Sequence, residues 1–580
     1  MPFMQQYLEI TDAKARRTWI PQDFVVSDWP GIEIYYERLL AQEPASVEDL
    51  KTFLQQRNEL EAIFWEDYAW RYIRKTCDTQ DAQIKEAYAY FVQHMLPPHA
   101  EIEDRLNRKI AANPYFDELP AVPYLTFTRQ LRREIGLFRK ENIPLRTEDE
   151  TIAQGFQELA SSMTIEYKGD TLTLQQAAKY LEAPDRTMRE EVWHKIAGRR
   201  LQDRQKLEDI FSQLVDLRHR QAINAGYDTF TTYKFDLMGR FDYTLADTHA
   251  FHDAVEQVVK PVYTLLMEER RERMGLDRLR PWDLSVDIFG PAPLKPFDTG
   301  KDLLQKTIET LSRLRPELGE MLRIMDQRGF LDLDTRVGKA PGGYNYPLME
   351  TGIPFIFMNA AGTQTDVTTM LHESGHAIHS FLTRDLPLNE LKQPPSEVAE
   401  LASMTMELLT LDHYDLFYAD TQQRTRAQKE QLLRCITIFP WIAAVDAFQQ
   451  WAYNHPDHDS QTRSQVWLDI YQRFHGEAVD WTGYEEALAS LWLKQGHIFD
   501  VPFYYIEYGI AQLGALAIWR NYRQHPEQGI GQYLQALQVG YAYPIPEVYS
   551  QAGIRFDFSI EYVRSCIDFC LDAYMALKLD

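Results

Sequence analysis

Cysteine is scarce in this chain: Cys77, Cys435, Cys566 and Cys570 are the four in 580 residues. So few argue against a disulfide framework as the source of stability. Cys566 and Cys570 stand four apart in an apolar pattern, which reads as two buried thiols on one helix face rather than a metal pair. Positive charge is also short. Lys and Arg number 61 against 86 Asp and Glu, a formal net charge of −25. A surface that acidic repels phosphate backbones and anionic lipid, so neither nucleic acid nor a membrane is expected as a partner. No window approaches 18 uninterrupted apolar residues, so no membrane span is expected. The opening stretch, Met1 to Glu9, lacks a basic segment followed by an apolar one, so no signal peptide is expected either. Internal repeats and low-complexity tracts are missing too. These absences together point to a reducing, cytoplasmic location.

What is present is helical periodicity. Leu50, Phe53, Leu54, Leu60, Ile63 and Phe64 recur at three- and four-residue intervals between charges. The same pattern runs through 120–160, 175–225, 245–275, 300–325 and 425–455. A mainly α architecture follows, and 580 residues exceed one compact core, so two lobes are expected. Strands are predicted at 163–167 and 171–174, as a hairpin about Lys168-Gly169-Asp170, and at Phe330–Asp334. A further strand is predicted at Ile353–Asn359, whose Pro354 suits an edge position. Candidate boundaries lie near Pro184-Asp185-Arg186 and in the Pro-rich run Gly290–Pro296.

Residues 372–376 read His-Glu-Ser-Gly-His. On a helix, residues i and i+4 share a face one turn apart, so two imidazoles can reach one ion, with the intervening Glu beside it. The spacing therefore predicts a helix over Asp366–Thr383, capped by Thr365 or Asp366 and ended before Pro387. Gly375 inside it costs roughly 1 kcal/mol relative to Ala, which a close backbone neighbour would explain. Catalytic zinc commonly takes a third protein ligand. After Pro394-Pro395, Ser396 is a plausible N-cap of a second helix that offers Glu397, Glu400 and Glu407, with Glu400, Ser403 and Glu407 on one face. By chemistry alone both Glu397 and Glu400 can serve.

The pattern H-E-x-G-H followed 24 residues later by E-x-x-S-x-x-x-E resembles the thimet oligopeptidase and oligoendopeptidase F family of zinc peptidases. The nearest in style are oligoendopeptidase F and Pz-peptidase. The resemblance implies one Zn²⁺ per chain on His372, His376 and Glu400, Glu373 as general base, and Glu407 as the partner of a ligand His. It also implies that His379, on the same face, supports the site without binding metal. A further resemblance lies at 497–508, His-Ile-Phe-Asp-Val-Pro-Phe-Tyr-Tyr-Ile-Glu-Tyr. By that likeness His497, Tyr505 and Tyr508 stabilise the transition state and Tyr504 touches substrate. The tyrosines stand one residue closer to the His than in thimet oligopeptidase, and a first loop Tyr is lacking. Asp500 with Pro502 is expected to start the helix, and Gly509 and Gly514 to let it approach others closely. Upstream, Gly343, Tyr344 and Phe357 belong to a segment that resembles the family's substrate strand, read here as an edge strand able to pair with an extended peptide.

The motifs cover about 340–515, with weaker likeness at Ile165–Gly169 and Ala222–Tyr227. The first 110 residues carry little that is diagnostic. The expectation is a two-lobed helical metallopeptidase with a deep substrate channel and a small sheet beside the zinc helix. Residues 1–190 would form an N-terminal lobe and 191–580 the catalytic domain. The expected activity is cleavage of internal bonds in short peptides by a cytoplasmic monomer. The alternatives are a peptidyl-dipeptidase, for which no carboxylate-binding cluster is evident, and a non-catalytic zinc-binding scaffold, which would have no use for Glu373.

Overall fold

Helices dominate the computed structural model, which describes residues 4, 6–9, 12–290, 293–340 and 342–579. The chain divides into two compact units, each assembled from three stretches. One comprises Met1–Gly136, Lys295–Arg424 and Gly514–Phe556, and the other Leu137–Leu294, Thr425–Leu513 and Asp557–Asp580. The expected boundary at 190 divides the sequence, whereas these units interleave along it. Of the Pro-rich run, Pro291 and Ala292 lie outside the described residues, and the units part within it, between Leu294 and Lys295. Asp185, by contrast, caps the helix Arg186–Gln202 inside one unit. Part of the opening stretch in which no signal peptide is expected, Met1–Phe3 and Gln5, also lies outside the described residues.

In the first unit the helix Val47–Cys77 is specified locally. Ser46 accepts the Asp49 N–H, acids fill its first turn and Arg74 and Lys75 its last. Its apolar stripe, including Phe53, Leu54, Leu60 and Phe64, joins Ile102 and Leu106 in a core that also takes in Leu388 and Leu391.

Five strands occur among the described residues. In the second unit β1 (Thr164–Tyr167) and β2 (Asp170–Thr173) form the antiparallel hairpin. Its turn is Lys168-Gly169, both in the left-handed region. In the first unit β3 (Leu331–Asp334), β4 (Tyr344–Tyr346) and β5 (Phe355–Ala360) make a sheet of order β3-β5-β4. This corrects the edge assignment. Pro354 precedes β5 and removes no ladder donor, so β5 is central, parallel to β3 and antiparallel to β4. The edges are β3 and β4.

Cys566 and Cys570 are fully buried on the helix Ile560–Ala576, and no disulfide joins cysteines among the described residues. Among those residues one helix, Thr421–Asn454, is long and apolar enough to cross a membrane, and 67% of its apolar window is buried within the protein.

Candidate functional site

The His-bearing helix spans Gln364–Thr383. Its cap is Thr363, not Thr365 or Asp366: the Thr363 hydroxyl accepts the Asp366 N–H, and the Asp366 carboxylate accepts the Thr363 N–H, a reciprocal box. The next helix spans Ser396–Leu409 and starts without a side-chain cap, because Ser396 is its first helical residue and Pro395 occupies the cap position. The two helices touch at Gly375. A methyl group there would sit 2.7 Å from the Ala402 carbonyl oxygen and 2.7 Å from the Ser403 Cα. Only a residue without Cβ lets the backbones come this close, which accounts for a glycine in the middle of a helix.

That approach brings three donor atoms together. One ligand atom each from His372, His376 and Glu400 lie within 4.8 Å of one another. Glu400 Oε2 is 3.3 Å from His372 Nε2 and 3.7 Å from His376 Nε2. Glu397, the rival by chemistry, is not in this group. The His372 Nδ1–H donates to Glu407 Oε1 over 2.7 Å, which fixes the tautomer and leaves Nε2 to face Glu400. Ser403 Oγ donates to Glu400 Oε2 at 3.0 Å. Burial opposes ionisation of Glu400, but a hydrogen bond from the doubly protonated form of His372 and the electrostatic pull of His376 and His372 win, holding its carboxyl at about 2. Two imidazole nitrogens and one buried carboxylate are a donor set that suits zinc, and three protein ligands leave a coordination position for water or substrate. The residues present therefore fit the ion.

Glu373 is buried between these histidines in sequence, and burial pushes its carboxyl up to about 7. Its backbone carbonyl accepts from Asn345 Nδ2 at 3.4 Å, a tie between β4 and the His-bearing helix. His379 is buried outside the donor group, and burial followed by the neighbouring His376 lowers it to about 3. It stays neutral and bonds the backbone of Leu537.

In the second unit His497 lies on a short helix, Gly496–Asp500. Asp500 ends that helix instead of starting the next, which spans Tyr505–Gln524. The break comes at Phe503, held in the left-handed region with its carbonyl accepting from Arg240. The His497 ring centroid is 5.9 Å from that of Tyr504, 5.1 Å from Tyr505 and 6.0 Å from Tyr508. All four rings thus form one cluster. Burial pushes the Tyr505 hydroxyl up to about 12, so it remains a donor at neutral pH. Gly509 lies where a Cβ would meet Phe251 at 2.6 Å, and Gly514 where one would meet Leu401 at 2.5 Å.

Two residues that sequence reasoning passed over orient His497. Trp441 Nε1–H donates to Gln495 Oε1 at 2.9 Å, and the Gln495 amide nitrogen is 2.7 Å from His497 Nδ1. An indole N–H can only donate, so the Gln495 oxygen must face Trp441 and its NH₂ must face His497. Nδ1 is then the acceptor and the ring proton sits on Nε2. The spacing of Gln495 two residues before His497 carried no signal, and Trp441 is 56 residues upstream of His497.

Tyr344 stacks on Phe357 at 4.9 Å and its hydroxyl bonds Thr76. Gly343 precedes it at the start of β4. Phe357 cannot serve a ligand as expected: its side chain is fully buried and its backbone pairs on both sides within the sheet.

Residues 179–566 match the family profile described as "Peptidase family M3", and 23–138 match "Peptidase M3 N-terminal domain". Oligopeptidase PepF of Bacillus subtilis is 23% identical over 49% of this chain and 42% of its own length. An oligoendopeptidase F homolog of Lactococcus lactis is 23% identical over 54% of this chain and 53% of its own. The chain thus spans about half the length of the curated relatives it matches. Among solved structures, Pz peptidase A with an inhibitor superposes at a TM-score of 0.88 with 25% identity, covering 97% of this chain and 99% of that one. Oligoendopeptidase-F from Enterococcus faecium superposes at 0.62 with 16% identity, covering 95% and 97%, a likeness of fold.

Proposed function

The chain belongs to peptidase family M3, and from that membership we propose that it is a zinc endopeptidase that cleaves internal bonds of short peptides. The observation that carries this reading is the convergence of His372, His376 and Glu400, with Glu373 on the same helix turn. Zinc held by those three residues would supply a Lewis acid and make water acidic enough to lose a proton at neutral pH. Glu373 takes that proton on a carboxylate oxygen and passes it to the leaving amine. Glu407 keeps His372 in the tautomer that presents Nε2. The Nε2–H of His497 and the hydroxyls of Tyr505 and Tyr508 are the proposed donors to the oxyanion, and Tyr504 a contact to substrate. A peptide would run along β4 at Gly343 and Tyr344, through backbone hydrogen bonds that read no particular sequence. We place the enzyme in the cytoplasm as a monomer, in keeping with its thiols and acidic charge.

A quenched-fluorescent decapeptide with blocked ends tests the reading. Wild type cleaves it, a chelator abolishes cleavage, and Glu373→Gln lowers turnover by at least about 100-fold. Glu373→Gln retains one zinc per chain, whereas Glu400→Ala loses it. Equal turnover in wild type, chelated enzyme and Glu373→Gln would overturn the proposal, and so would full zinc occupancy in Glu400→Ala for the ligand set. Release of C-terminal dipeptides alone would favour the peptidyl-dipeptidase.

A further inference from the structure

The second unit holds a cavity of about 360 Å³ that opens to solvent, within the range of small-molecule sites. Its walls include Trp193, Trp441, Trp481 and Tyr471, and two cations, Arg200 and Lys494, face into it. Lys494 Nζ stands 4.4 Å from the centre of the Trp441 ring. Among the described residues no carboxylate acts on either cation. Protein crowds both groups. Burial lowers Arg200, and burial followed by Arg200 pushes Lys494 down to about 8. Lys494 is exposed by surface area yet deep among other atoms, as a side chain facing a cavity is. Two like charges held near each other against indole rings raise the energy of the empty site, and an anion would lower it.

We propose that this cavity binds a small aromatic carboxylate, with its carboxylate between Arg200 and Lys494 and its ring among Trp193, Trp441 and Trp481. The shape of the charge favours this class. One planar guanidinium fork and one ammonium serve the two oxygens of a carboxylate, while a phosphoryl group would leave oxygen against indole. The aromatic walls supply the apolar contact and ring stacking. Such an anion has two sources, a free aromatic acid or the C-terminus of a peptide ending in Phe, Tyr or Trp.

Calorimetric titration of the full chain decides. The probes are hydrocinnamate and acetyl-Ala-Phe as free acids, each beside its neutral amide. At least one acid binds with a Kd below about 1 mM, and its amide at least tenfold more weakly. Tighter binding of hydrocinnamate assigns the site to a free acid, and tighter binding of acetyl-Ala-Phe to a peptide terminus. Arg200→Gln combined with Lys494→Gln weakens the acid at least tenfold while the melting temperature holds or rises, because no ion pair is lost. Trp441 is left intact, since it also holds Gln495. Equal binding of acid and amide, equal binding in the double variant, or no binding of either acid would overturn the proposal. The readout is affinity and not peptide cleavage, so it stands apart from the peptidase assay.

Discussion

Gly375 is where a general rule and a local contact oppose each other. Ala is the better helix former by about 1 kcal/mol, yet its methyl would press on backbone atoms of Ala402 and Ser403 that cannot move independently of their helix. Gly375→Ala is expected to destabilise by about 1–3 kcal/mol and to part His372 from Glu400, read as a lower melting temperature with reduced zinc content. Glu407→Ala acts on one bond, the 2.7 Å contact that orients His372. The loss expected is about 10- to 100-fold in zinc affinity, measured by competition with a chromophoric chelator. Far from the motif, His99 Nε2 lies 3.0 Å from Glu61 in the core of the first unit. Burial works against its charge, but Glu61 outweighs burial and raises the imidazole above its ordinary value. A raised folded value favours the protonated fold, so the pair stabilises fully below about 6.5 and the contribution fades as pH climbs through the folded value. His99→Gln should therefore cost more at about pH 6 than at about pH 9. Melting curves at the two values check it; a larger cost at the higher pH would refute the assignment.

At the scale of elements, the metal-site helix depends on its first turn. Thr363→Ala removes the reciprocal box and should cost about 1 kcal/mol, seen as a modest fall in melting temperature with zinc stoichiometry unchanged, because Gly375 and the histidines sit three turns further on. Much of this helix was legible: its period, its histidine face and the need for a near backbone at Gly375. Its cap was missed by two residues, since several hydroxyl and acidic residues stand in a row there and only the turn conformation selects one. Ser396 failed as an N-cap and Asp500 as a helix start for the same reason. A capping residue type states a preference, and the incoming backbone angle decides whether it is used. Strand order was out of reach as well. β5 is apolar on both faces because it is central, while Pro354 suggested an edge; the proline simply falls before the strand.

For the whole molecule, chain order and compact units do not coincide. Leu388 and Leu391 share a core with residues from Ile20 to Leu131, and the first unit needs residues 1–136 as well as the metal-site helices. A fragment of residues 191–580 is therefore expected to expose that core and to precipitate or melt without cooperativity, whereas the full chain unfolds with a sharp transition. Soluble, zinc-loaded fragment would show the catalytic domain to be autonomous after all.

The sequence by itself determined the helical class, the histidine pair one turn apart, the acids available to join them and the family likeness, because periodicity and spacing are local properties of a chain. Only the tertiary structure decided which acid meets the histidines, that β3 and β4 and not β5 are the edges, that Phe357 is sealed away, and that Trp441 and Gln495 set the proton on His497. Those outcomes depend on contacts between residues distant in the chain, fixed by packing that no short window of sequence contains.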